Sequence, residues 1–217
     1  GRRASDEAAA DSPSGRFWAD EYRLNLDISN YPKPYVAIMD GIVMGGGVGI
    51  SLPCQVRIAT ENTRFAMPET GIGLFPDVGG SWYLPRCPGE IGTYLALTGA
   101  RLHAADTLYA GLATHYLPSA AVGDLVDALA GADWSGDGRA VVDGALASLS
   151  GGSAGEPPLA AHREAIERCF RFDSVEEIRA ALENDGTDWA VSTLKNLSQM
   201  SPTSLKVTLR QVRLGKT

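Results

Sequence analysis

The sequence predicts an α/β fold followed by an all-helical C-terminal region, and three observations support this. Short apolar runs bounded by proline or glycine, typical of buried strands, alternate with helical patterns between residues 17 and 118. Beyond Ser119 the apolar residues recur only at helical spacings of three, four and seven. The 217 residues are 44% hydrophobic, which is sufficient for one sizeable core with a helical addition.

The first predicted element is a helix over residues 17–28, where apolar and charged residues mix at helical spacing until Pro32 and Pro34 prevent its continuation. Residues 1–16 are polar and lack hydrophobic periodicity, so we expect a disordered segment or a loop leading into this helix. The chain lacks an initiator Met and ends at or just past a predicted helix. We therefore expect it to be part of a longer protein.

The central elements follow from short apolar runs and their breakers. Residues 35–39 form a continuous apolar run that predicts a strand buried on both faces. A triple glycine at 45–47 opens a short predicted helix at 48–52, and two or three helices are expected between Ser81 and Gly111. The remaining predictions in this part are strands at 55–59, 64–67 and 114–117, loops at 68–71 and 75–80, and a short helix at 104–110.

Two units are predicted: a core at 17–118 that carries the functional residues, and a helical region at 119–217. A glycine- and proline-rich linker at 151–158 divides the second unit. Within that unit Ser174 and Glu177 match a capping box, and Ser201 followed by Pro202 matches a helix start.

Composition excludes several classes of function. The net charge of −7 with scattered Lys and Arg argues against nucleic-acid and anionic-membrane partners, and no apolar run is long enough to span a membrane. The cysteines and histidines show no metal-ligand spacing, which predicts a reducing compartment and no metal site. These residues are Cys54, Cys87, Cys169, His103, His115 and His162.

The triple glycine at 45–47 has two interpretations. It lacks both nucleotide-binding glycine patterns, so phosphate binding is disfavoured. It is either a tight turn with close helix packing or an oxyanion hole built from backbone N–H groups at a helix start. Residues 49–53 approach a serine-hydrolase elbow, but Pro53 replaces the last glycine, which makes that chemistry a minor alternative.

Glu69 and Asp77 are isolated carboxylates in predicted loops with apolar neighbours. If they are buried together, desolvation and mutual repulsion raise their pKa values, which suits a base or nucleophile beside an acid or orienting group. The alternative is that each caps a following helix or turn. Glu21, taken alone, is most simply a solvated charge on the first helix.

Several of these segments together resemble the crotonase superfamily, and within it the 3-hydroxyisobutyryl-CoA hydrolase branch. The resemblance covers about residues 17–217 and rests on the combination of motifs. These are PYVAI at 34–38, MGGG at 44–47, FAMPE at 65–69, GLFPD at 73–77, LALTG at 95–99, GLATHY at 111–116 and SPTSLK at 201–206.

The resemblance implies a partial spiral of strand–strand–helix turns, followed by a helical region used in trimerisation. It also implies an acyl-CoA ligand bound at Gly45 and Gly46, with the Gly46 N–H in an oxyanion hole. The second oxyanion amide lies in a family segment that is absent from these residues. Glu69 matches the family's catalytic glutamate and Asp77 an acidic residue of the hydrolase branch.

Glu21 matches a substrate-contacting glutamate, and Gly49 stands where hydratases carry their second glutamate. The implied activity is therefore cleavage of 3-hydroxyisobutyryl-CoA, a step of valine catabolism, with no cofactor because CoA is part of the substrate. The expected location is the bacterial cytosol or the mitochondrial matrix, and the expected assembly is a homotrimer or a multiple of it. An enoyl-CoA hydratase or isomerase and a non-catalytic acyl-CoA-binding subunit remain alternatives.

Overall fold

The apolar runs of this sequence are short and interrupted by Gly and Pro, so they form short strands between helices. A computed structural model describes residues 13–149 and 151–216. The strands are β1 (Val36–Met39), β2 (Ile42–Val43), β3 (Val56–Ala59), β4 (Arg64–Phe65) and β5 (His115–Tyr116).

The described helices fall before, between and after these strands. They are α1 (Pro13–Ser29), α2 (Gly46–Ser51), α3 (Gly80–Tyr83), α4 (Ile91–Thr98), α5 (Ala104–Tyr109), α6 (Val122–Ala130), α7 (Gly138–Leu149), α8 (Arg163–Phe170), α9 (Val175–Asp185), α10 (Asp188–Leu197) and α11 (Pro202–Gly215). Short 3-10 turns cover Glu69–Ile72, Leu84–Arg86, Ser119–Ala121 and Pro158–His162.

The strands pair in parallel in two small sheets. One sheet has the order β1-β3-β5 and the other pairs β2 with β4. Val36 pairs with Val56 in the first sheet, and Ile42 pairs with Arg64 in the second. Strands β3 and β4 therefore repeat the arrangement of β1 and β2 in the next layer of the fold. Helix α2 lies between the two pairs of strands along the chain. This repetition confirms the predicted α/β class.

The structure corrects several predicted boundaries. Helix α1 begins at Pro13, so it includes residues 13–16, which the sequence predicts as part of the leading segment; a proline is compatible with the first turn of a helix, where its missing N–H has no partner to lose. The other residues of that segment, 1–12, lie outside the described part. The predicted strand at 64–67 ends at Phe65, where pairing with β2 ends.

The predicted loop at 68–71 is a 3-10 turn that starts at Glu69, because the Gly71 N–H donates to Pro68 O at 2.9 Å and closes an i→i+3 turn. The predicted loop at 75–80 gives way to helix α3 at Gly80. The other predicted strands and helices are present to within a few residues. The prediction that the strand at 35–39 is buried on both faces is wrong: β1 lies at the edge of its sheet in the described residues, Ile38 is 37% exposed, and Met39 is the one buried residue of the strand. The division at residue 118 stays a prediction.

The C-terminal helices share a core with the strands. A single buried cluster includes Phe65 and Met67 from the first part of the chain together with Phe170, Leu205 and Leu209 from the last. Helix α11 packs against α3 and α4. A smaller cluster under β3 joins Val56 and Ile58 to α6 and α7. The C-terminal helices therefore support the segment that carries the candidate site.

None of the helices in the described ranges has the length and apolar character needed to cross a membrane.

Candidate active site

Glu69 begins a turn that the surrounding core holds on three sides. Gly99 packs so closely that a Cβ there would lie 2.9 Å from Pro68 Cα. The Thr70 hydroxyl donates to Leu97 O at 3.1 Å, and the Ser201 N–H donates to Thr70 O at 3.0 Å. Helices α4 and α11 therefore fix the backbone on either side of Glu69.

The Glu69 side chain lacks a polar partner for one of its oxygens. It is only 4% exposed, and Oε2 accepts no hydrogen bond from any described residue. Burial raises the pKa of this carboxyl to about 7, with a smaller contribution from the negative charge of Asp77. A carboxyl that titrates near neutrality is suited to general-base or nucleophilic chemistry.

Asp77 lies in the loop between the Glu69 turn and α3, and its side chain is half-buried. The Tyr22 hydroxyl of α1 donates to Asp77 Oδ2 at 3.2 Å. The loop backbone is strained at the next residue, since Val78 has a φ of 41° and is 2% exposed. A buried β-branched residue in the left-handed region is unusual and is typical of functional loops.

Glu21 contradicts the interpretation that it is a solvated charge. Its side chain is half-buried because α1 lies against α2, and Oε1 lies 3.2 Å from the position a Cβ on Gly46 would take. Oε2 is buried without a partner among the described residues. Burial, and then the charge of Asp77, raises the pKa of the Glu21 carboxyl.

Gly45 and Gly46 open α2 as the sequence predicts. Gly45 has a φ of 52°, which L side chains rarely adopt, so the turn into this helix favours glycine. In the described residues no backbone carbonyl accepts from the Gly46 N–H, whereas the Gly47 N–H donates to Met44 O and the Val48 N–H to Gly45 O. The Gly46 N–H is available to a ligand oxygen.

Gly49 leaves no space for a side chain. A Cβ there would lie 2.8 Å from Asn25 Nδ2 and 2.8 Å from Val78 Cβ. The Asn25 amide also donates to Gly49 O at 2.9 Å, which fixes this contact. A glutamate side chain at this position would clash with the side chains of Asn25 and Val78.

A cavity of about 490 Å³ opens beside the Asp77 loop. Its walls include Tyr22, Asp77, Phe75 and Trp82, whereas Glu69, Glu21 and Gly46 are not among its lining residues. The structure therefore brings Glu21 and Glu69 each within electrostatic reach of Asp77, but of the three carboxylates only Asp77 lines this space.

Sequence reasoning missed three residues of this arrangement: Tyr22, Asn25 and Val78. Two of them have a signal in the sequence, because Tyr22 is adjacent to Glu21 and Asn25 is one helical turn beyond it. Polar groups one turn apart on a helix that carries a candidate glutamate indicate a face directed at the site. No sequence signal distinguishes the backbone of Val78.

The histidines and cysteines form no metal centre within the described ranges, where no group of three or more His, Cys, Asp or Glu could hold an ion. The three cysteines are buried free thiols.

Comparisons with known proteins agree with the resemblance. A family model described as enoyl-CoA hydratase/isomerase matches residues 2–217. A small ribosomal subunit protein mS47 of Neurospora crassa is 47% identical over 92% of this chain and 42% of its own length. A mitochondrial 3-hydroxyisobutyryl-CoA hydrolase of Xenopus tropicalis is 47% identical over 98% of this chain and 54% of its own length.

Among solved structures, a carnitinyl-CoA dehydratase from Mycobacterium thermoresistibile superposes with a TM-score of 0.85 at 43% identity, over 96% of this chain and 60% of that one. The chain spans about half the length of the curated relatives it matches.

Proposed function

Because the chain belongs to the enoyl-CoA hydratase/isomerase family, the crotonase superfamily, we propose that its full-length gene product hydrolyses acyl-CoA thioesters. The proposed substrate is 3-hydroxyisobutyryl-CoA, cleaved to 3-hydroxyisobutyrate and CoA in valine catabolism. The relative from Xenopus tropicalis carries this activity in its name. We further propose that no cofactor takes part.

This proposal rests mainly on two residues: Gly49, which has no side chain, and Asp77, which supplies a carboxylate. A hydratase of this family adds water with two glutamates, and Gly49 has no space for the second one. Asp77 supplies a carboxylate from another loop, and its charge adds to the effect of burial, which is the main cause of the raised pKa of Glu69. This pairing favours thioester cleavage over hydration.

In the proposed reaction Glu69 attacks the thioester carbonyl carbon, or removes a proton from a water that does so. The carbonyl oxygen becomes an oxyanion that the Gly46 N–H stabilises, and one such donor typically contributes about 100- to 1000-fold in rate. The C–S bond then breaks, and Asp77 assists proton delivery to the CoA thiolate. In the nucleophilic route water finally hydrolyses the Glu69 anhydride and restores the carboxylate.

Glu21 and Gly45 complete the proposed binding site. Glu21 lies against Gly46 with an unpartnered oxygen, which suits a contact with a hydrogen-bond donor on the substrate. Gly45 sets the turn that presents the Gly46 N–H. Asp77 is also proposed to orient the 3-hydroxyl group of the acyl chain.

Hydration is the first alternative activity, and it is supported by the similarity to a carnitinyl-CoA dehydratase. It would require a second acid or base in place of the absent side chain at Gly49. Hydration of crotonyl-CoA without release of CoA would support it.

A non-catalytic role is the second alternative, and the similarity to ribosomal protein mS47 favours it. Acyl-CoA binding by calorimetry together with no turnover would support a binding subunit. The homotrimeric assembly and the location in the bacterial cytosol or mitochondrial matrix also remain proposals; the Xenopus tropicalis relative is named as mitochondrial.

The direct test is a CoA-release assay on the full-length gene product with 3-hydroxyisobutyryl-CoA and crotonyl-CoA. We expect CoA release from the first substrate and a loss of about 100-fold or more in the Glu69→Gln variant, which is the usual range for a lost acid–base group. Release of CoA that is unaffected by Glu69→Gln would contradict the proposal.

A further inference from the structure

Helix α1 reaches the Asp77 loop with one polar group, the Tyr22 hydroxyl. It donates to Asp77 Oδ2 at 3.2 Å across 55 positions of sequence. Both side chains line the cavity of about 490 Å³. This bond therefore lies in the wall of a space that a ligand of Asp77 would occupy.

The loop alone does not determine where the Asp77 carboxylate points. Val78 locks the backbone, because its side chain is 2% exposed and lies next to the Cα of Gly49. The Gly80 N–H donates to the backbone carbonyl of Asp77 at 2.6 Å. Neither of these contacts involves the Asp77 carboxylate, and among the described residues Tyr22 is its hydrogen-bond donor.

Two neighbouring acidic groups oppose a fixed carboxylate at this position. Glu21 and Glu69 both lie within electrostatic reach of Asp77. The hydrogen bond from the Tyr22 hydroxyl offsets this repulsion. Partial burial, and then the charge of Asp77, raises the pKa of Tyr22 to about 12, so the phenol stays protonated where Glu69 ionises.

We propose that Tyr22 is a positioning residue that holds Asp77 through Oδ2 and leaves Oδ1 directed to the substrate. This inference rests on the proposed function, because it assigns Asp77 a task in thioester cleavage. Tyr22 touches no reacting atom in this scheme. Its effect on the rate passes through Asp77.

The test is Tyr22→Phe in the full-length gene product, with Tyr31→Phe as the matched control. The two phenols are 45% and 46% exposed, but Tyr31 contacts the ring of Tyr35 and, among the described residues, its hydroxyl donates to no carboxylate. We expect Tyr22→Phe to lower kcat for CoA release about 10-fold with KM changed less than twofold, since a hydrogen bond to a charged group is lost. Tyr31→Phe should leave both constants unchanged.

A double-variant cycle separates positioning from a general structural effect. In an Asp77→Asn background, adding Tyr22→Phe should lower kcat by less than twofold, because the carboxylate through which Tyr22 affects the rate is already absent. Losses that multiply in the double variant would overturn the proposal, as would a Tyr22→Phe enzyme that matches the Tyr31→Phe control. An Asp77→Asn enzyme with normal kcat would also overturn it.

The same experiments distinguish failure of this inference from failure of the proposed function on which it rests. If the wild-type protein releases no CoA, or Glu69→Gln remains active, the proposed function fails. If CoA release depends on Glu69 while Tyr22→Phe has no effect, only the role of Tyr22 fails. Equal melting temperatures of the wild type and both phenylalanine variants would show that the rate change is not a folding defect.

Discussion

The Glu69 turn and the Asp77 loop lie eight positions apart, and the protein holds them in different ways. The Glu69 turn is fixed by the packing of Gly99 against Pro68 and by two hydrogen bonds of Thr70. The Thr70 hydroxyl donates to Leu97 O, and the Thr70 carbonyl accepts from the Ser201 N–H. The Asp77 loop is fixed by a strained Val78 and by one hydroxyl from α1. One carboxylate is positioned by the core, and the other by a single surface contact.

This difference predicts which property of the protein each substitution should change. A change at the Glu69 turn should alter global stability, because its contacts continue into α4 and α11. A change at the Asp77 carboxylate should alter the rate with little effect on stability.

Glu69→Gln should stabilise the protein at pH 8. The folded pKa of about 7 lies above the ordinary 4.5, so ionising the buried carboxyl lowers stability as pH rises from 4.5 to 7. This difference in pKa corresponds to about 3 kcal/mol. We expect a gain of about 1–3 kcal/mol in urea unfolding at pH 8 that disappears at pH 4.

The control for this prediction is Glu183→Gln, which removes an exposed carboxylate from α9. Its effect on stability should be below about 0.5 kcal/mol at both pH values, as is usual for surface substitutions. A Glu69→Gln protein that is less stable than the wild type at pH 8 would contradict this prediction. It would mean that other interactions in the folded protein offset the free-energy cost of burying the ionised carboxylate.

Gly99→Ala should destabilise the protein by about 2 kcal/mol. Gly99 has a φ of 60°, and a Cβ there would lie 2.9 Å from Pro68 Cα, so backbone strain and a backbone clash combine. Gly111→Ala is a matched control, because Gly111 has a φ of 72° but open space around its Cβ position. Thermal unfolding should show a clearly larger loss for Gly99→Ala.

The same pair of variants tests whether the packing under Pro68 positions Glu69. Gly99→Ala should also lower kcat for CoA release, whereas Gly111→Ala should not. Equal losses of stability in the two variants would contradict this prediction. They would mean that the structure accommodates the alanine methyl group beside Pro68 without a loss of free energy.

Asp77→Asn should have the smallest effect on stability, below about 0.5 kcal/mol. The side chain is half-buried and the amide can still accept from the Tyr22 hydroxyl. The rate of CoA release should nevertheless fall about 10- to 100-fold, because a carboxylate that assists proton transfer is lost. A large loss of stability would show that Asp77 is a structural residue.

The sequence predicts the core-positioned part of the site better than the part held by α1. The strand before the glycine run, the short helix at Gly46–Ser51 and the isolated Glu69 all follow from local patterns of apolar residues and breakers. These features are local, so a periodicity analysis finds them. The position of Gly49 is significant only through the resemblance, and the structure adds the reason, which is contact with Asn25 and Val78.

The contacts of α1 could not be predicted in the same way. Tyr22 and Asp77 are 55 positions apart, and their hydrogen bond depends on how α1 packs against α2. The positive φ of Val78 is contrary to the local preference of a β-branched residue. Such a conformation is imposed by the surrounding packing, which a one-dimensional pattern does not contain.

In the proposed mechanism Glu69 must be ionised to cleave the thioester. The direct measurement is kcat/KM for CoA release from 3-hydroxyisobutyryl-CoA by the full-length gene product between pH 5 and 8.5, because kcat/KM reports the ionisation of the free enzyme. The pKa of about 7 for Glu69 predicts a kcat/KM that rises about tenfold per pH unit at low pH and levels off above neutrality. A kcat/KM that is constant from pH 5 to 8.5 would contradict this requirement.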